Sequence, residues 1–286
     1  MRSSNPVLTK LDQTATEERR SGGWPGSQGS YQGYGEAPAA YGPSGYAPYG
    51  QPPVAGVQPF GRAMTLDDVV TRTIGLVILV VLAAGFSWAF LHNGPVATAA
   101  AVGSSIAGLV LVFVISFRRV TNPALIMLYA VLQGVLLGIV SRAFERVYPG
   151  IVIQAVVGTL AVFLGMAVLY KFRVLRATPR FARWVIGALI GVVGLSLVNW
   201  ILHLFGHNLG VVYYGPGQHG GTFAIVFSLV AIAVGALTFI LDFDLVEQGI
   251  RHGLPERFAW YCAFGLIVGL IYLYWQILRL LGYLRN

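Results

Sequence analysis

Residues 223–241 read FAIVFSLVAIAVGALTFIL, and residues 242–251 continue directly with DFDLVEQGIR. The first stretch contains no charged side chain. Its 19 residues would form a helix about 28 Å long, which is close to the roughly 30 Å thickness of a bilayer's hydrocarbon core. This stretch therefore predicts a transmembrane helix, and the acidic residues behind it should lie where that helix approaches the lipid surface.

Six further apolar runs have a similar length and almost no charge. Hydrophobic residues make up 56% of the 286-residue chain and charged residues 10%, whereas soluble domains carry roughly 25% charged residues. A soluble globular fold is excluded. We predict an all-α, polytopic membrane helical bundle with seven transmembrane helices, because lipid offers no hydrogen-bond partners to open backbone. The six runs are Ile74–Leu91, Val96–Phe117, Pro123–Val140, Ile151–Tyr170, Trp184–Phe205 and Phe258–Leu281.

The beginning of the chain differs sharply from the rest. Gly, Pro, Ser and Tyr dominate residues 21–60 without any period, and such a segment cannot bury enough surface to offset the entropy of ordering. We predict a disordered, Gly/Pro/Tyr-rich cytoplasmic tail over residues 1–62 and a seven-helix transmembrane domain over residues 63–286. A tail that self-associates through its tyrosines is the alternative. The first helix should begin near Thr65, which suits an N-cap.

The basic residues predict the orientation in the membrane. The chain has 19 Lys and Arg residues and a net charge of +8, but they lie between apolar runs, so we expect no nucleic-acid partner. With the N-terminus inside, 15 of the 19 fall in inside segments, which predicts a cytoplasmic N-terminus and a C-terminus outside. Only two are lysine, a bias typical of GC-rich bacterial genomes. We therefore expect a bacterial plasma membrane protein, and no secretory signal peptide.

Two pairs of glycines are spaced for close helix packing. Gly134 and Gly138 share one helix face, and so do Gly187 and Gly191. Small residues at this spacing let helix backbones approach closely. We predict that both pairs pack inside the bundle, with a dimer interface as the alternative.

The scarce acidic residues converge on one place. Asp242, Asp244 and Glu247 follow the sixth run, and they are the candidates for an ion pathway or a pH sensor, because acids near the hydrocarbon usually face a protein interior. Asp242 and Asp244 are about 200° apart on a helix and cannot share a face. Glu247 can neighbour Asp244 and can pair with Arg251. The alternative is an ordinary interfacial acid group, neutralised by Arg251 or Arg257.

Other polar residues within the runs predict helix contacts rather than chemistry. Gln133 and Gln276 are secondary site candidates, as is Arg251, while Asn199 and His203 should bond neighbouring helices. The lone cysteine, Cys262, excludes an internal disulfide. No metal or cofactor is expected, and the sequence has no HExxH, P-loop or GxSxG motif. We therefore expect a protein that is not an enzyme.

Several segments together resemble a known family. They are YAVLQGVLLG at residues 129–138, the DFD cluster at 242–244, LPERFAWYCAFGL at 254–266 and ILRLL at 277–281. With seven runs, these residues resemble the Bax inhibitor 1/YccA-like membrane proteins, from residue 64 to residue 286. The tail before MTLDDVVTRT resembles that of an actinobacterial branch.

The resemblance implies a seven-helix bundle with the last helix at its centre. Some relatives are pH-sensitive calcium leak channels in which an aspartate on the sixth helix and one on the seventh form a proton-sensitive latch. The sixth-helix acid maps onto Asp242 or Asp244, and the Phe-Asp pair at 243–244 favours Asp244. The seventh-helix acid falls near Gly269 or Gln276, so it is absent here, and Gln133 stands where relatives carry a glutamate.

Two functions therefore follow as expectations. The first is a pH-sensitive cation leak, with Ca²⁺ or H⁺ as its ligand. The second is a non-conducting membrane scaffold, or a regulator of a membrane protease or stress response, whose tail recruits other membrane proteins. The lipid bilayer is the partner in both.

Overall fold

A computed structural model describes residues 62–91, 94–175, 177–205, 207, 210–212, 217 and 220–285. Seven helices and no strand occur in this part of the chain, and each helix is long and apolar enough to cross a membrane. The predicted fold class is confirmed. Except for Arg62, the predicted tail lies outside the described residues. The helices are α1 (Leu66–Phe90), α2 (Pro95–Arg118), α3 (Pro123–Val147), α4 (Ile151–Lys171), α5 (Pro179–Leu204), α6 (Thr222–Arg251) and α7 (Phe258–Leu284).

The helix ends follow local sequence signals. Thr65 is the N-cap of α1, where its hydroxyl accepts from the Asp68 N–H at 3.4 Å and the Asp68 carboxylate accepts from the Thr65 N–H at 2.9 Å. The predicted start at Thr65 is confirmed. The short RRVTN connection is a true break, because Arg119 adopts the left-handed conformation and Asn122 caps α3. The sixth run does not end at its acids, since α6 continues to Arg251.

The last helix lies at the centre of the bundle, as the resemblance implied. α7 packs against α1, α3, α4 and α6, whereas α2 contacts only α3 and α5 contacts only α6 among the seven helices. Half of the apolar window of α7 is buried, compared with 17% for α2 and for α5. The interior of the protein is therefore built around α7.

The contact between α6 and α7 is made by glycines that face aromatic rings, and we call it the α6–α7 seam. A methyl group on Gly235 would lie 2.5 Å from the Tyr272 ring, and one on Gly269 would lie 2.8 Å from the Phe239 ring. Neither distance is possible for a real side chain. Because each ring occupies the space that a glycine leaves, these pairs fix the register of the two antiparallel helices.

The glycines of α3 make an equally close contact with α1. A methyl group on Gly134 would lie 2.5 Å from the Val80 carbonyl oxygen, and one on Gly138 would lie 2.2 Å from that of Ala84. The prediction of internal packing is confirmed for this pair. It is wrong for Gly187 and Gly191, where nothing lies within 4 Å of an added methyl. α5 turns that face away from α6, its single neighbour among the described helices.

We predict that Gly138→Ala destabilises the bundle by about 1–3 kcal/mol, which is the usual cost of overpacking. The clash is with backbone, so it cannot be relieved by a side-chain rotation. Thermal unfolding in detergent measures the effect. The matched control is Gly187→Ala, because both changes gain the same helix propensity but only the first creates a contact. Equal unfolding temperatures for the two variants would contradict the close packing of α1 and α3.

Candidate functional site

Asp242 lies inside the α6–α7 seam. Its Oδ1 atom is 3.4 Å from the position that a methyl group on Gly265 would occupy. Cys262 lies one turn before Gly265 on the same face of α7 and is buried. The side chain of Asp242 therefore points across the seam into space that the missing side chain of Gly265 leaves open.

The surroundings of Asp242 are apolar. Phe239, Ile240, Cys262 and Leu266 belong to one of the two largest buried clusters of the bundle, in which Phe239 and Ile240 have no exposed surface. Burial of an ionised carboxylate costs free energy unless a hydrogen bond or an opposite charge compensates it. Asp242 therefore occupies a position in which its charged form is expensive.

Within the described part of the chain, no side chain or backbone group forms a hydrogen bond or ion pair with Asp242. Arg251 instead donates to Glu247. Arg251 therefore pairs with Glu247 and not with Asp242, and the alternative of an interfacial acid stays a prediction. The titratable group that faces it from α7 is the thiol of Cys262.

Asp244 and Glu247 point away from the seam. Gln248 Nε2 donates to Asp244 Oδ2 at 2.6 Å, and Glu247 accepts from Arg251 and from the hydroxyl of Tyr170 on α4. The predicted pairing of Glu247 with Arg251 is confirmed, as is the separation of Asp242 from Asp244. The neighbour of Asp244 is Gln248 rather than Glu247. Two of the three candidate acids thus form a polar group at the end of α6, and the third is inside.

Two of the secondary candidates, Gln133 and Gln276, lie away from this group, whereas Arg251 belongs to it. Gln133 faces α2, with its Nε2 atom 2.7 Å from a methyl position on Gly108. Gln276 is buried, and its Oε1 atom has no partner within the described residues. It lies 11 residues beyond Gly265, about 16 Å along α7. Of the two α7 positions that the resemblance suggested, Gln276 is thus distant and Gly269 faces Phe239. The residue opposite Asp242 is Gly265.

The other polar predictions concern packing. The Asn199 Nδ2 atom donates to the Val212 carbonyl oxygen at 2.8 Å, and Asn199 is fully buried. This bond joins α5 to the connection that follows it, rather than to a neighbouring helix as predicted. The described residues contain no group of three or more His, Cys, Asp or Glu side chains that could hold a metal ion.

Sequence reasoning missed a polar contact at the end of the bundle where Asp244 and Glu247 lie. We call this contact the clamp, and it consists of residues 62–65, Arg72 and residues 254–256. The Met64 N–H donates to the Leu254 carbonyl oxygen at 2.8 Å, and the Glu256 N–H donates to that of Arg62 at 2.9 Å. Arg72 donates to the Glu256 carboxylate at 2.5 Å. The clamp joins the start of α1 to the connection between α6 and α7.

These features define a polytopic membrane protein with one unpaired acid in its interior. Comparison with protein-family models identifies the family: the model for Bax inhibitor 1 like proteins matches residues 5–286. The chain belongs to this family, and the resemblance in the sequence is confirmed. The match includes most of the tail, which the resemblance had left out. No curated protein matches the chain.

We predict that Glu256→Gln loosens the clamp, because Arg72 loses its ionic partner. Hydrogen exchange at the Met64 amide should accelerate by up to about fivefold, since partly exposed ion pairs contribute about 1 kcal/mol or less. Asp67→Asn is the control, because Asp67 is an acid in the first turn of α1 and its side chain bonds no described residue. Unchanged protection of Met64 in Glu256→Gln would show that the carboxylate does not hold the clamp.

Proposed function

We propose that this protein is a pH-gated cation leak of the lipid bilayer, with Ca²⁺ as the cation and Asp242 as the titrating group. The observation that carries the proposal is the unpaired carboxylate of Asp242 in the α6–α7 seam. Membership of the Bax inhibitor 1 like family supports it by analogy, although analogy of fold is a weak guide to function. No catalytic motif is present in the sequence, and the family is not a family of enzymes.

The gate follows from the cost of burying charge. When Asp242 is protonated it is neutral, and the apolar seam closes around it. When it loses its proton, the charge is tolerated only if water or a cation enters beside it. Gly265 has no side chain opposite the carboxylate. Water or a cation can therefore enter at this position with a smaller displacement of α7 than at a position that carries a side chain. Ionisation therefore favours the open seam, and flux should rise with pH.

Asp244 and Glu247 have a different role in this proposal. Both are partly exposed at the end of α6, and Arg251 offsets the charge of Glu247. Asp244 has only the neutral amide of Gln248 as a partner, so it retains a full negative charge. We place these residues at the mouth of the pathway, where a negative charge raises the local concentration of cations.

In the proposed orientation this mouth faces the cytoplasm. The proposal includes a bacterial plasma membrane, a cytoplasmic tail over residues 1–62 and a transmembrane domain over residues 63–286 with its C-terminus outside. The excess of arginines at the end of the bundle that carries the clamp supports this orientation.

We predict that Asp242→Asn abolishes the pH dependence of calcium flux. The full chain is reconstituted in liposomes with a calcium indicator, and flux is measured from acidic to mildly alkaline pH. The parent should conduct more as pH rises, because Asp242 ionises, whereas the Asn variant should give a flat profile. Asp244→Asn is the control, since it removes a carboxylate two residues away but outside the seam. It should lower the flux while keeping the pH profile.

Two outcomes contradict the proposal. Absence of calcium flux from the parent at every pH would exclude the leak. A pH profile in Asp242→Asn that matches the parent would exclude Asp242 as the sensor, even if flux is present.

A second function is favoured by two observations. No Asp or Glu occurs from Phe258 to Asn286, so a latch between two carboxylates cannot form across the seam. In addition, the clamp bonds the residues that follow the tail to the connection between α6 and α7. A non-conducting scaffold or regulator of a membrane protease or stress response, which recruits other membrane proteins through its tail, would use this connection.

Deletion of residues 1–61 separates the two functions, because it keeps Arg62 and the clamp. The leak predicts that calcium flux of the truncated chain equals that of the parent. The regulator predicts that partner proteins no longer copurify, while Asp242→Asn leaves copurification unchanged. Loss of flux in the truncated chain, together with an unchanged pH profile in Asp242→Asn, would assign the function to the tail and not to the seam.

A further inference from the structure

An apolar cleft opens between α1 and α4. These two helices make no contact with each other, and the space between them has a volume of about 550 Å³. α3 and α7 form its floor. Val81 of α1 and Leu160 of α4 stand at its sides and remain exposed, at 62% and 47%. The cleft is therefore open toward the surrounding lipid and reaches inward to the central helix.

The polar groups in the wall of the cleft already have partners. The Thr73 hydroxyl donates to the Val69 carbonyl oxygen at 2.8 Å, and the Thr159 hydroxyl donates to that of Ala155 at 2.7 Å. The hydroxyls of Ser141 and Tyr274 bond each other at 2.6 Å. The hydroxyls of these walls are bonded within the protein, and apart from them and Trp88 every lining residue is apolar. The chemistry of the cleft thus suits a hydrocarbon chain.

One end of the cleft carries a positive charge. Trp88 lines the cleft near the end of α1, and its backbone carbonyl oxygen accepts a hydrogen bond from Arg142 of α3. A guanidinium has five N–H donors, and this is the one bond that Arg142 makes to the described residues. No carboxylate in this part of the chain pairs with it. The remaining donors are suited to a phosphate group, which arginine binds through paired hydrogen bonds.

The length of the cleft fits a chain attached to that phosphate. Thr73 and Trp88 both line it, and 15 residues of helix separate them, which corresponds to about 22 Å. Half of a hydrocarbon core is about 15 Å thick. A chain whose phosphate lies at Arg142 would therefore run along α1 through its own leaflet and just past the middle of the bilayer.

We infer that the cleft between α1 and α4 binds one acyl chain of an anionic phospholipid, whose phosphate is held by Arg142. This inference is independent of the proposed leak. The bound chain packs against Ile267 and Ile271 of α7, so the lipid is part of the packing around the central helix.

Native mass spectrometry of the full chain, titrated with phosphatidylglycerol in detergent, tests the site. Gly85→Trp adds a large side chain to a residue that lines the cleft, at a position where nothing lies within 4 Å of an added methyl group. We expect phosphatidylglycerol affinity to fall by about tenfold or more, which corresponds to about 1.4 kcal/mol. Gly75→Trp is the matched control: Gly75 has the same free space on the same helix but does not line the cleft. Equal binding by both variants would overturn the cleft as a lipid site.

Arg142→Gln tests the headgroup. The parent should prefer phosphatidylglycerol to phosphatidylcholine, and the variant should bind both lipids equally through the acyl chain. An unchanged preference would overturn the assignment of Arg142. Excess inorganic phosphate should not displace the lipid from the parent, because the chain contributes most of the contact. Displacement by phosphate would show a site for a free anion instead of a lipid.

Discussion

The α6–α7 seam is the contact on which the rest of the structure depends. Tyr272 occupies the space above Gly235, and Phe239 occupies the space above Gly269, so the two helices can meet in one register only. That register sets Asp242 opposite Gly265 and brings the connection between the helices against the start of α1. α7 in turn supports α1, α3 and α4. A shift of this seam would therefore move every part of the bundle that touches the central helix.

The seam also separates the acids into two groups with different physical behaviour. Asp244 and Glu247 have polar partners, which lower the cost of their charges. Asp242 has neither a partner among the described residues nor a polar neighbour beyond the Cys262 thiol. Ionisation of an acid in such a place costs free energy. Acids inside membrane bundles are rare and commonly belong to ion pathways or proton relays. A single carboxylate opposite a glycine differs from a pair of carboxylates that shares one proton. In such a pair, repulsion between the two acids changes the packing. In the α6–α7 seam, the charge of Asp242 itself changes it.

Much of this structure could be predicted because it is local. Length and apolarity determine the seven helices, the Thr65 and Asp68 pair determines where α1 begins, and helix spacing determines the pairing of Glu247 with Arg251. Contacts between distant residues could not be predicted. Arg72 and Glu256 are 184 positions apart. Neither their residue types nor their positions in the sequence single out this pair among the other possible ones. Gly187 and Gly191 have the same pattern as Gly134 and Gly138, but only the neighbouring helix decides whether such a face is used.

Infrared difference spectroscopy of the reconstituted full chain measures directly whether Asp242 changes its protonation state inside the seam. A change from acidic to mildly alkaline pH should remove the C=O band of a protonated carboxylic acid in an apolar environment. This band should be absent from the difference spectrum of Asp242→Asn and present in that of Asp244→Asn. A band of equal intensity in the parent and in Asp242→Asn would contradict the titration of Asp242.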